Sequence, residues 1–182
     1  TLAETASVFG EMLTFKSLLS ITKKENERKG LLANKVEDML NTVVRQIAFF
    51  EFEKRIHDQR KIKELSVNEI CKIWIDVQKQ SLGPSIKFND DYKYFWSYIP
   101  HFIHSPFYVY AYAFGDCLVN SLFNVYENKL PRFEDKYITL LESGGSNTYD
   151  KLLKPFGLNP KKKDFWQKGV NVIESLIDQL EE

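Results

Sequence analysis

From Pro106 to about Lys129 the chain can form a helix, but core-type residues crowd every face of it. A helix that is apolar all round is normally central in its domain, so the other elements have to wrap this one. Ser105 supplies an N-cap oxygen and Pro106 suits a first helical position, which predicts a start at Pro106. The most apolar part, Phe107 to Phe123, contains Asp116 and Asn120, whereas a spanning helix needs about 20 residues with few polar interruptions. No membrane span and no signal peptide is expected. Composition agrees with long helices packed through aromatic layers: 14 Phe, 9 Tyr and 3 Trp stand against only 8 Gly and 6 Pro.

The rest of the pattern is also helical. Leu2, Ala6, Phe9, Leu13, Leu18 and Leu19 recur at helical spacing, with acids on another face. After the charged turn Lys23 to Lys29, the run from Leu32 through Val36, Met39, Val43, Ile47 and Phe50 lacks Pro and Gly, and predicts one long helix to about His57. Ser66 and Glu69 form a capping box that opens a third helix, closed by Gly83 and Pro84. Phe88 to His104 is expected to be irregular. Pro131 ends the central helix, and a shorter one from Phe133 to Leu141 leads into the turn Ser143-Gly144-Gly145. Ser146 or Asn147 can cap a short helix to Leu153, and a last helix runs from about Lys161 to Leu180. The expectation is an all-α fold with residues 1–182 as a single helical domain.

The 25 Lys and Arg cancel the 25 Asp and Glu, and the pI is near 6.8. That balance argues against nucleic acid or an acidic membrane as a partner. Cys71 and Cys117 lie far apart without CxxC spacing, which fits buried thiols in a reducing, cytoplasmic setting. The chain begins at Thr1 without Met, partway into a helical pattern, so it is expected to be a piece of a longer protein.

Glu4 and Glu11 are seven residues apart, so both carboxylates project from one side of the first helix. Spacing alone leaves a solvated acidic stripe as the alternative. The string Glu4-Thr5-Ala6-Ser7-Val8-Phe9-Gly10-Glu11 resembles the glutamate-bearing helix of the oligoendopeptidase F family, zinc metallopeptidases related to thimet oligopeptidase. Ile99-Pro100-His101-Phe102 and Pro106-Phe107-Tyr108-Val109-Tyr110-Ala111-Tyr112-Ala113-Phe114-Gly115 resemble its second and more specific signature. Leu140-Leu141-Glu142-Ser143-Gly144-Gly145-Ser146, Phe165-Trp166 and Val172-Ile173-Glu174 are similar to its closing helices, so the resemblance covers nearly the whole chain in order.

The resemblance implies that Glu4 is the third ligand of a catalytic zinc, the other two being histidines of an H-E-x-x-H helix. It implies that Glu11 supports the site from behind, accepting a hydrogen bond from a zinc-bound imidazole. This chain contains no H-E-x-x-H. Its histidines are His57, His101 and His104, and no pair has the spacing of a zinc helix. The chain then corresponds to the C-terminal part of the catalytic domain, with the N-terminal part of the same protein as its partner. By itself it is expected to be inactive and not to hold zinc tightly.

Tyr108 and Tyr112 are four apart, so on a helix started at Pro106 their hydroxyls emerge on one face and could converge on one acceptor. Spacing alone leaves aromatic core as the alternative. The resemblance assigns oxyanion stabilisation to a histidine and tyrosines of this stretch, which fall on His101, Tyr108 and Tyr112. Tyr110 points away and reads as packing. Lys161-Lys162-Lys163 reads as a solvated turn, and His57 as a partner of a helix dipole. Two functions follow: the C-terminal portion of a zinc endopeptidase that cleaves internal bonds of short oligopeptides, or a non-catalytic helical interaction module. An H-E-x-x-H upstream of Thr1 would discriminate in favour of the first.

Overall fold

The computed structural model describes residues 5–181, and every regular element among them is helical. None of these helices is long and apolar enough to cross a membrane. The chain forms two compact units. One comprises the residues up to Leu40 and those from Phe114 onward, and the other Asn41–Ala113.

The first unit holds α1 (Thr5–Ile21), α2 (Glu25–Thr42) up to Leu40, α6 (Tyr110–Glu127) from Phe114, α7 (Phe133–Ser143), α8 (Tyr149–Leu153) and α9 (Lys163–Glu181). The expected centrality of α6 is observed: Gly115 to Phe123 are nine consecutive buried residues, so no face of this stretch meets solvent. Phe9 of α1 packs its ring 5.5 Å from Phe123 and 4.7 Å from Tyr137. Gly169 lets α9 approach closely, because a Cβ there would lie 3.0 Å from the Cys117 backbone. At the same junction Ser121 donates to the Phe165 carbonyl at 3.0 Å. Both cysteines are free and buried, and burial pushes the Cys117 thiol up to about 12, which keeps it protonated and unreactive.

The second unit is built on α3 (Val44–Arg60) and α4 (Val67–Leu82), followed by a 3-10 segment (Asp90–Tyr98) and the short α5 (His101–His104). Its core centres on Trp74, 1% exposed, whose ring lies 5.5 Å from Phe49 and 5.1 Å from Phe52. The Trp74 indole N–H donates to the Tyr92 carbonyl at 3.0 Å, so the segment after α4 is tied down. The Ser66–Glu69 capping box forms as expected, and Gly83 closes α4 at φ 72°.

The stretch 88–104, expected to be irregular, holds the 3-10 segment and α5, and α2 already begins at Glu25, inside the expected turn. Two further boundaries differ from expectation. The long helix is two, separated at Val43, which sits at φ −101° and ψ −66°. Thr42, Val43 and Val44 are consecutive β-branched residues, stiff at χ1 and crowded in a helix, and Val43 is buried at 3%. The other difference concerns Ser105 and Pro106. Ser105 closes α5, its N–H donating to the His101 carbonyl, and α6 begins only at Tyr110. Phe107 between them has φ 59°, a left-handed conformation that cannot continue a helix. The Phe107 N–H is engaged in a tertiary contact, donating to the Glu53 carboxylate at 2.8 Å.

Candidate active site

In the second unit, buried neighbours fix the two elements that carry the polar cluster. Ile99 is 6% exposed just before α5, and Phe102 within it packs 5.2 Å from Phe52, so His101 starts a turn anchored in the core. Val109 and Ala113, four apart, are 0% and 5% exposed. Tyr108 and Tyr112, also four apart, are therefore turned outward, at 50% and 37% exposure. Tyr108 precedes α6, which corrects the expectation that both tyrosines stand on one helix. The turn bonds from Ala111 N–H to the Tyr108 carbonyl and from Tyr112 N–H to the Val109 carbonyl preserve the helical sense across the gap.

His101, Tyr108 and Tyr112 come together. The His101 Nε2 and the Tyr112 hydroxyl are 3.1 Å apart, the imidazole accepting in one tautomer and donating in the other. The Tyr108 ring is stacked parallel to the imidazole at 6.5 Å, and the two tyrosine rings meet edge to face at 5.6 Å. Such a group presents hydroxyl and imidazole donors on an accessible surface, where they can converge on an oxygen. In this chain neither ring belongs to the buried core. Tyr110 packs on Phe50 at 5.7 Å, and His57, in the last turn of α3, lies 4.8 Å from the Phe107 ring.

Sequence reasoning missed Glu53, a carboxylate only 2% exposed. Its Oε1 accepts the Phe107 N–H at 2.8 Å, while its Oε2 is buried without a hydrogen-bond partner. Burial holds this carboxyl above the usual range, offset in part by the Phe107 N–H and the imidazoles of His57 and His101. The signal was available. Glu53 falls four after Phe49 and three before Ile56, inside the apolar stripe of α3.

In the first unit, Glu4 lies outside the described residues. Glu11 is exposed on α1 and accepts from the Ser7 hydroxyl at 3.4 Å. Asp116 on α6 is buried and accepts from the Asn120 side-chain amide at 2.9 Å. Burial raises its pKa to about 6, opposed by Lys35 and the Asn120 bond and reinforced by Glu11. Among the described residues no group of three or more His, Cys, Asp or Glu could hold a metal ion, so these residues do not of themselves fit a zinc centre.

The sequence model of peptidase family M3 matches residues 1–172. The chain is 32% identical over 98% of its length to an oligoendopeptidase F homolog of Borreliella burgdorferi, and 29% identical over 99% to the oligopeptidase PepF of Bacillus subtilis. It spans 30% and 27% of those two proteins. A crystal structure from Chlamydophila abortus superposes with a TM-score of 0.89 at 30% identity, covering 98% of this chain and 30% of that one. The oligoendopeptidase F of Enterococcus faecium superposes at 0.85 with 24% identity, over 99% of this chain and 35% of that one, and so shares the fold. With the aromatic signature, the helical architecture and a family match over nearly the full length in agreement, the chain belongs to peptidase family M3.

Proposed function

We propose that this chain is the portion of a zinc oligoendopeptidase that stabilises the oxyanion of peptide-bond hydrolysis through His101, Tyr108 and Tyr112. The observation that carries the reading is the 3.1 Å pairing of the His101 imidazole with a half-exposed Tyr112 hydroxyl, flanked by the Tyr108 ring. A carbonyl under attack becomes a tetrahedral oxyanion, and donors fixed where that charge develops bind the transition state more strongly than the substrate. The Tyr112 hydroxyl donates outward when the imidazole Nε2–H donates to it. Tyr108 supplies a second donor. The substrates are short oligopeptides, and two free buried cysteines suit a cytoplasmic setting.

Glu4 is proposed as a zinc ligand, with Glu11 supporting it by orienting a ligand imidazole. Zinc in this family polarises the scissile carbonyl and activates water. The two histidines this requires are not in the present sequence, and one carboxylate cannot replace three ligands. The 182-residue chain alone should therefore bind no stoichiometric zinc and cleave no fluorogenic oligopeptide. Supplying an upstream H-E-x-x-H segment should restore both, and Glu4→Ala in that longer protein should remove the metal while leaving the helical fold. Zinc and turnover in the short chain would show that the metal site is elsewhere.

Kinetics of Tyr112→Phe in the longer enzyme test the oxyanion role. The expected result is a fall in kcat of about ten- to a thousandfold with a smaller rise in KM, since one donor is worth on the order of 1.4 to 4 kcal/mol in the transition state. An unchanged kcat in a folded variant would make Tyr112 a structural residue and favour a helical interaction module.

A further inference from the structure

A buried carboxylate in the second unit is engaged with the loop that bears Tyr108. Burying a charge is costly, and replacing it by an apolar side chain of similar shape is often neutral or stabilising. Glu53 is kept nonetheless at 2% exposure, with Oε2 unpartnered and Oε1 accepting the Phe107 N–H from 54 residues away. The residue it holds is the one strained position at the site. Phe107 has φ 59°, which a side chain other than glycine keeps only when its surroundings over-determine it. Three residues of one α3 face do so. Glu53 takes the N–H, while the His57 and Phe50 rings lie 4.8 and 6.1 Å from the Phe107 ring.

This turn decides where the next residue goes. With Phe107 left-handed, the chain turns between α5 and the start of α6, and the Tyr108 ring lies parallel to the His101 imidazole. With Phe107 in the ordinary helical region, the chain between α5 and Tyr108 would take another course, and the imidazole would not meet Tyr108 in this way. We infer that Glu53 is a positioning residue of the site, holding the left-handed turn at Phe107 and through it the placement of Tyr108 beside His101. The inference rests on the catalytic reading of the His101, Tyr108 and Tyr112 group, and it has one part that can be tested without activity.

Two variants separate the possibilities. Glu53→Gln keeps the acceptor oxygen, whereas Glu53→Met keeps the length and shape but cannot accept from Phe107. In the 182-residue chain, amide hydrogen exchange should leave Phe107 protected in Glu53→Gln and speed it by about ten- to a hundredfold in Glu53→Met, the range for losing one hydrogen bond to a charged group. The Val77 amide in α4 should not change, and Glu53→Met should melt no lower than Glu53→Gln. Equal Phe107 exchange in the two variants would overturn the hydrogen-bond role.

In the longer enzyme, Glu53→Met should lower kcat by about tenfold or more with KM nearly unchanged, and Glu53→Gln should restore it. A Glu53→Met protein that loses melting temperature, Val77 protection and activity together would overturn the proposal in favour of a general structural role. Full kcat in Glu53→Met, in an enzyme where Tyr112→Phe does lower kcat, would overturn the positioning role alone. If Tyr112→Phe is silent as well, the catalytic reading fails and the positioning role falls with it, while the exchange result still decides whether Glu53 holds the turn.

Discussion

Each compact unit contains an aromatic cluster and a buried acid, and the two pairs are put to opposite uses. In the first unit Phe9, Phe123 and Phe133 are 5%, 3% and 3% exposed, and the Tyr137 hydroxyl donates to the Thr5 carbonyl at 3.1 Å. Burial pushes the Tyr137 phenol up to about 12, so it stays a neutral donor committed to the backbone. In the second unit Tyr108 and Tyr112 are exposed and Tyr112 faces an imidazole. The acids differ in the same way. Asp116 is satisfied within its own helix by Asn120, one turn on, whereas Glu53 reaches a loop distant in sequence. Helical spacing of tyrosines thus says nothing of their use, and burial together with the hydroxyl's partner does.

The largest expected effect is on the packed cluster. Phe9→Ala should destabilise the chain by about 3 to 5 kcal/mol in a denaturant titration, because the cavity it leaves lies among aromatic rings that cannot collapse into it. A loss well below 1 kcal/mol would mean that these rings are less tightly packed than the exposed pair is reactive, and the contrast would fail.

Next in size is the hydroxyl pair. Tyr112→Phe should cost about 1.4 to 4 kcal/mol in the activation barrier and little in stability. Tyr137→Phe should do the reverse, lowering stability by about 1 kcal/mol and leaving kcat alone. Parallel losses in both variants would erase the distinction between the clusters.

The smallest effect sharpens the contrast between the acids. With a pKa of about 6 in the fold against 3.8 ordinarily, Asp116 binds its proton more readily folded than unfolded. Stability should therefore fall as pH rises from about 4 through about 6, by at most about 3 kcal/mol. Lys35 opposes and Glu11 reinforces this shift, so both face the titrating group. Asp116→Asn should reduce the slope, measured as the denaturant midpoint across that pH range, with Glu53, whose carboxyl burial also raises, leaving a remainder of the same sign. An unchanged slope would assign it to other carboxylates.

Helix content, the central place of α6, the α4 capping box and the chain reversal at Gly144, which has φ 50°, were legible in the sequence. These depend on periodicity, cap chemistry and glycine, which act over a few residues. His101, Tyr108 and Tyr112 were legible through a motif, and they do meet. The break at Val43 was not legible as a boundary, since a run of β-branched residues lowers helix propensity only slightly and Val43 itself stays in the right-handed region. Nor was the start of α6. Ser105 and Pro106 carry good local signals, and the Phe107 N–H donates instead to a carboxylate 54 residues away. The sequence by itself determined most of the helical segments, though not those in 88–104, and which one must be central, because hydrophobic pattern and propensity are short-range. Only the tertiary structure decided where Tyr108 stands and which acid holds it there, because a buried hydrogen bond between distant segments leaves no periodic trace.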